Sequence, residues 1–451
     1  MSYKPLVLVT APVGTRSGYG SHARDIVRSL IAMDRFDVKV WPVRWGATAQ
    51  NALEEDNPKD IPIIKRLLGQ PNMERQPDIH FHIVVPNEFQ PLGKYNIGIT
   101  AGLETTITPP PWVEGMNRMN LNIVPAKFIK KYIEPVVFDK HDEQTKQVVG
   151  QLRLERPVEV LFEGADTEIY KQTKEFSKPL HEELSNIKED FSFLFVGHWL
   201  QGDLGHDRKD LGMLIKTFCE TFKNKKNQPA LVLKTSGATP SILDREEILG
   251  KINKITKTVE GNLPSVYLLH GDFSDDEMNE LYNHPKVKAH VSFTHGEGFG
   301  RPLLEASLSG KPVIAPNWSG QVDFLTKDGA ILLPGGMNDV KPDSLMKGLH
   351  VKDTKWFTVN YNYASKVLKD VFENYDKHLV KGKKLSIMNQ TKFSLDGMTK
   401  KFEEILDKYL PKFEEPAKKV DLKLPTLKKV GSDVPPPPQK MKLPKLKKVG
   451  A

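Results

Sequence analysis

Glu297 and Glu305 bracket a glycine-rich turn, an arrangement suited to holding a hydroxyl-bearing ligand beside a phosphate. Gly296, Gly298 and Gly300 let the backbone turn sharply and approach a ligand with no Cβ in the way. Pro302 suits the first turn of a helix, and Gly310 followed by Pro312 suits its end, which predicts a helix over about 302–309. The free N–H groups and dipole at that helix start make a phosphate site. Glu305, in the first turns, can accept two hydrogen bonds from the vicinal hydroxyls of a ribose. Glu297, in the loop before the helix, lies nearer the cleft. A glycine pattern alone is weak evidence. Its combination with two spaced glutamates, a proline at the helix start and a glycine at its end is more specific. The plainer alternative is a capped helix with surface acids.

These side chains need a frame, and the hydrophobic pattern supplies one. Short β-rich runs fall at 6–10, 36–43, 79–85, 96–100, 120–125 and 158–162, then at 191–196, 230–234, 266–270, 289–293, 312–315 and 330–333. Helix-length segments separate them, which suggests βαβ units and parallel sheets. The pattern occurs twice, with a break near 164–190. It predicts an α/β chain of two Rossmann-like, doubly wound domains facing each other across a cleft. Open α/β sheets bind ligands beyond the carboxyl ends of their strands. The expected division is an acceptor domain over 1–175, a donor domain over 176–355, helices over 356–410 packing back across both, and a tail from 411 to 451. Within the third segment, helices are expected at 356–375 and 395–410.

The bulk numbers agree with a globular protein: 451 residues, 39% hydrophobic and 27% charged. A single cysteine, Cys219, excludes an intrachain disulfide and points to a reducing compartment. No apolar run reaches the roughly 18 residues needed to cross a bilayer. The N-terminus reads as a first strand rather than a signal peptide. A cytoplasmic location is the expectation. The net charge of +8 owes much to the end of the chain, where LKLPTLKKVG (422–431) recurs as MKLPKLKKVG (441–450) around a run of prolines. Such sequence cannot bury enough apolar surface to fold alone. Its repetition suggests a docking motif used twice, or a polyanion-binding arm, with a merely solvated tail as the alternative.

The segment EGFGRPLLE (297–305) resembles the E-x7-E signature of GT-B retaining glycosyltransferases, especially the large family 4. The following GKPVIAP and SGQVDFL are similar to that family's consensus, as are FLFVGHWLQGDLGHDRKDLGMLIKTF (193–218) and HGDFSDDEMNELY (270–282). Weaker similarity extends back to about residue 5. The resemblance implies a GT-B fold and transfer of a sugar from a UDP-, GDP- or ADP-linked donor, with retention at the anomeric carbon and no metal. It implies that Glu305 binds the ribose and that Glu297 holds the donor sugar region. Gly298, Phe299 and Gly300 complete that turn. Arg208 and Lys209 would neutralise the diphosphate, in accord with the negative charge that a leaving nucleoside diphosphate develops. One position departs from the pattern: the family often has an arginine after the glycine of this strand, and here His198 follows Gly197. A histidine can donate to phosphate, but its charge is conditional near neutral pH.

In the first half, Gly14, Gly18 and Gly20 lie between the first strand and a helix expected to start near His22. GTRSGYGSHAR resembles the family's glycine-rich loop near the donor phosphates. The spacing does not fit a dinucleotide fingerprint. Glu104, in AGLETTITPPPW, would project from the carboxyl edge of the first sheet, and the resemblance gives it a role with donor sugar or acceptor; a turn residue satisfying backbone donors is the alternative. His22 contacts phosphate or is structural. His80 and His82 share one strand face and read as sheet-packing or cleft-lining residues rather than metal ligands. The acceptor stays open: a hydroxyl on a glycan, lipid, protein or modified DNA. Two other functions stay open as well, a sugar-nucleotide epimerase and a non-catalytic nucleotide-sugar-binding protein.

Overall fold

The computed structural model describes residues 3–70, 73–142, 144–200, 202, 204–237 and 239–415. The chain up to Phe413 forms one compact unit, and every assigned helix and strand belongs to it. The basic repeats lie outside the described residues.

The first half runs β1 (Leu6–Ala11), α1 (Gly18–Ala32), β2 (Asp37–Pro42), α2 (Ile61–Ile64), β3 (Ile79–Ile83), β4 (Tyr95–Ile99), α3 (Pro110–Asn117), β5 (Leu121–Val124) and α4 (Lys127–Ile133). An antiparallel hairpin follows, β6 (Val137–His141) and β7 (Val148–Arg153), and then β8 (Val158–Val160). Six strands form a parallel sheet in the order β2-β1-β3-β4-β5-β8. Ala23, Ile26, Val27 and Leu30 recur at helical spacing on α1 and join Val7, Val9, Ile79 and Phe81 in one core. Each Val, Ile, Leu or Phe among them, fully buried, contributes about 1.5–3 kcal/mol. Ser17 fixes where α1 starts, its Oγ accepting from the Gly20 amide at 3.0 Å.

The second half repeats the plan with α5 (Lys178–Ser185), β9 (Ser192–Val196), α6 (Leu211–Phe222), β10 (Ala230–Lys234), α7 (Ile242–Thr256), β11 (Val266–Leu269), α8 (Asp275–Asn283), β12 (Val287–Val291), α9 (Arg301–Leu308), β13 (Val313–Pro316) and β14 (Ile331–Leu333). Its parallel sheet has the order β11-β10-β9-β12-β13-β14. Both faces are covered, so the strands are almost continuously apolar. Phe193 and Phe195 of β9 enter the core on the α6 side, and Leu194 enters the core on the α9 side.

A hairpin of β15 (Gly335–Asp339) and β16 (Lys355–Val359) leads into α10 (Tyr361–Glu373), α11 (Tyr375–Lys392) and α12 (Leu395–Tyr409). α10 packs on α6, and α11 packs on α9, where Ser386 donates to the Leu308 carbonyl at 2.9 Å. α12 returns to the first sheet: Met398, Phe402, Ile405 and Leu406 enter its core, and Phe402 meets Phe81 edge-on at 5.7 Å.

The α/β architecture with two doubly wound sheets agrees with the sequence reading, and each expected run overlaps a strand. Three local expectations are corrected. The helix expected from 356 begins at Tyr361, because Trp356, Phe357 and Val359 are buried in a strand paired with Gly335–Asp339. α11 was unanticipated, its apolar spacing being obscured by lysines on the outward side. Gly18 and Gly20 lie in the first turn of α1, not in the loop before it.

Candidate active site

In the second sheet the strand order reverses between β9 and β12, so the loops leaving those strands diverge and open a crevice at the carboxyl edge. The loop after β9 ends in Asp207, Arg208, Lys209 and Asp210. Asp210 is fully buried in the left-handed region (φ 51°), and its Oδ2 accepts from the Tyr361 hydroxyl at 2.6 Å. Asp207 accepts from the Leu211 amide at 3.0 Å, and burial pushes its carboxyl up to about 6. These two acids fix the loop and leave the intervening Arg208 and Lys209 to face the turn after β12.

That turn presents Glu297. Its amide donates to Ser319 Oγ at 2.9 Å, and its carbonyl accepts from the Gly320 amide at 2.9 Å. Lys209 Nζ lies 2.5 Å from Glu297 Oε1, and Arg208 Nη1 lies 3.3 Å from Oε2. The same Arg208 nitrogen reaches Glu104 Oε1 at 2.9 Å, from the loop after β4. Glu297, Lys209, Arg208 and Glu104 are therefore brought together, two cations against two carboxylates. Burial alone would raise the Glu297 carboxyl, but Lys209 and Arg208 overcome it and hold the group below its ordinary value. Burial lowers the Lys209 ammonium, a shift Glu297 opposes and Arg208 reinforces.

The glycines of the turn do more than clear space for a ligand. A Cβ on Gly296 would lie 2.6 Å from the Glu104 carbonyl oxygen, and one on Gly298 would lie 2.5 Å from that of Ala101. The turn thus packs main chain to main chain on the first half. Gly300 caps α9 with φ 98°, a value that favours glycine, and no side chain caps the first N–H groups of that helix. The Phe299 ring is buried against Phe324 at 5.0 Å, so the turn presents its main chain.

Glu305 belongs to a second cluster. Arg301 Nε binds its Oε1 at 2.9 Å, and the Tyr282 hydroxyl lies 3.5 Å from its Oε2. Arg301 Nη1 also reaches Asp25 of α1 at 2.5 Å, and Asp25 pairs onward with Arg28 at 3.2 Å. Burial pushes the Glu305 carboxyl up to about 7 against the pull of Arg301. The sequence reading did not single out Arg301 or Asp25. The i, i+4 spacing of Arg301 and Glu305 on one helix was the available signal for the first; Asp25 had none.

Of the remaining expected residues, His198 lies close enough to Lys209 to feel its charge. His198 Nδ1 lies 3.0 Å from the Gly237 carbonyl oxygen, to which it donates. Crowding by protein atoms, then the Lys209 charge, lower this imidazole although the residue still reaches solvent. A Cβ on Gly20 would lie 2.2 Å from the Thr15 carbonyl oxygen, so glycine is needed there for helix–loop contact, whereas Gly18 has open space around it. His22 is buried, and burial pulls it down to about 4. Among the described residues no group of three or more His, Cys, Asp or Glu could hold a metal ion, and no helix is long and apolar enough to cross a membrane.

No family model matches the chain, and no curated protein matches it. Solved structures do. Sucrose-phosphate synthase from Thermosynechococcus elongatus superposes with a TM-score of 0.59 at 11% identity, covering 90% of this chain and 99% of that one. A glycosyltransferase from Rickettsia africae gives 0.59 at 14%, covering 91% and 99%. Anabaena HepE in complex with UDP-glucose gives 0.57 at 14%, covering 90% and 100%. The chain therefore has the GT-B fold of these glycosyltransferases.

Proposed function

We propose that the protein is a glycosyltransferase that moves a sugar from a nucleoside diphosphate sugar to a hydroxyl acceptor, with retention at the anomeric carbon and without a metal. The observation that carries this reading is the meeting of Arg208 and Lys209 with Glu297 in the crevice where the second sheet changes direction, in the turn that leads into α9, whose N-cap is a glycine with no side-chain cap. HepE, which shares the fold, is described in complex with UDP-glucose. In this reading the two cations stabilise charge on the departing diphosphate, and the start of α9 receives one of its phosphates. Glu305 holds the ribose once Arg301 turns toward Asp25 alone. In this reading the donor takes these cations over from Glu297 and Glu104, and catalysis comes from positioning and electrostatics rather than from a protein nucleophile.

The test is a thermal-shift and hydrolysis screen with UDP-, GDP- and ADP-sugars. At least one should bind, and Lys209→Ala and Glu305→Ala should each abolish donor turnover. Absence of any response, or wild-type turnover in both variants, would sink the assignment.

A further inference from the structure

β1 and β3 are neighbours in the first sheet, with Leu8 beside His80 and Thr10 beside His82. Val7 and Val9 face the α1 core, so by the alternation of a strand Leu8 and Thr10 face the other side. On that side a cavity of about 590 Å³ opens beside Thr10, Trp41, His82, Asn87, Glu88 and Gln90. Its volume falls within the roughly 300–1,000 Å³ of small-molecule sites. It lies where the strand order of the first sheet reverses, between β1 and β3. None of these six residues takes part in the ion pairs around Arg208 or Arg301.

The polar groups of this cavity are set in advance. His82 is only 8% exposed, and its Nδ1 accepts from the Gln90 amide at 3.0 Å. The proton of the neutral ring must then sit on Nε2, which has no protein partner among the described residues. Burial pulls this imidazole down to about 4, so it presents a fixed neutral donor at physiological pH. Thr10 is 7% exposed and shares its hydroxyl with His80 Nε2 at 2.9 Å; it can donate to or accept from a ligand according to the His80 tautomer. Trp41 is half-buried and offers an indole surface, Leu8, Leu68 and Met73 supply an apolar wall, and Asn87, Glu88, Gln90 and Leu92 form an exposed rim with two amides and one carboxylate. Among the described residues no lysine or arginine lines the cavity, so a phosphate or carboxylate would find no counter-charge there.

We propose that this cavity binds a neutral saccharide, with the sugar ring against Trp41 and its hydroxyls on His82 Nε2, Thr10 and the rim. An aromatic platform with neutral donors, acceptors and one carboxylate matches a polyhydroxylated, uncharged ring. Only its role, anchoring a glycan acceptor, rests on the transferase reading; the binding does not.

The test uses full-length protein without nucleotide sugar, titrated with maltose, cellobiose, lactose and mannobiose by saturation-transfer NMR and calorimetry. At least one disaccharide should bind, and Trp41→Ala and His82→Ala should each weaken it about tenfold or more, the loss of one good contact. Because His82 is buried, two rim variants guard against misfolding: Leu92→Trp should block binding, and Glu88→Gln should weaken it, both with wild-type melting. Glucose 6-phosphate should bind more weakly than glucose. The proposal is overturned if no disaccharide binds, if Trp41→Ala and Leu92→Trp bind like wild type, or if the phosphorylated sugar binds more tightly. A disaccharide that binds a protein indifferent to every nucleotide sugar would remove the transferase reading and leave this site standing.

Discussion

Replacing Arg301 with methionine tests the ionic cluster that ties α9 to α1. The guanidinium is the common partner of Asp25 and Glu305, with side-chain exposures of 16%, 3% and 9%. Removing one partner of a buried pair typically costs about 3–5 kcal/mol, because the remaining charge is stranded out of water. Asp25 keeps Arg28, which limits its share. Among the described residues Glu305 keeps the distant Tyr282 hydroxyl, and it can escape by taking up a proton. Its carboxyl already stands at about 7, and Arg301 is what holds it that low. An acid whose folded value lies above its unfolded one is most stable below the unfolded value and loses stability as pH rises through the folded value. The loss in Arg301→Met should therefore lie near the lower figure at pH 6 and near the upper one at pH 8.5. At about 2 °C per kcal/mol for a chain at the large end of the scale, this predicts a melting drop of about 6–10 °C, greater at the higher pH. Glu163, also pushed up to about 7 by burial and held down by the same guanidinium, adds in the same direction. Circular dichroism melts at the two pH values measure it, and Arg301→Met/Glu305→Gln should recover part of the loss. A melting point unchanged at both pH values would refute the reasoning.

Three further outcomes are expected. Gly298→Ala places a methyl 2.5 Å from the Ala101 carbonyl oxygen and should force the two halves apart, seen as faster proteolysis and a donor KM raised at least severalfold; unaltered kinetics would exclude that contact as part of the working state. Tyr361→Phe removes the 2.6 Å bond to buried Asp210 and should cost about 1–3 kcal/mol in urea unfolding, with reduced turnover because Lys209 lies next in the chain. Glu305→Gln should flatten the decline of stability between about pH 4.5 and 7 that the raised Glu305 carboxyl imposes; melts that keep the wild-type slope would show that this carboxyl does not carry it.

The strands were legible because parallel strands covered on both faces are short apolar runs, as in Phe193–Leu194–Phe195 and Leu231–Val232–Leu233. The turn at Gly296–Gly300 was legible because glycine, proline and acid spacing is local. The hairpin β6–β7 was not, since Val137, Val148 and Val149 are exposed and no buried face imposes an alternation. The pairing of Arg301 with Asp25, and of Arg208 with Glu104, joins residues far apart in the chain, so nothing in local pattern announces it. Phe299 shows the converse: a residue inside a conspicuous motif turns its ring into the core.

The balance of charge around Glu297 has a consequence for turnover. With Lys209 and Arg208 already facing Glu297 and Glu104, the resting crevice carries its own internal counter-anion. Under the proposed function, an arriving diphosphate would have to displace carboxylates rather than fill an electrostatic vacancy, so it would gain less than two bare cations would offer. The same carboxylates stand ready to reclaim those cations as the spent nucleotide departs, which would speed its release and blunt product inhibition.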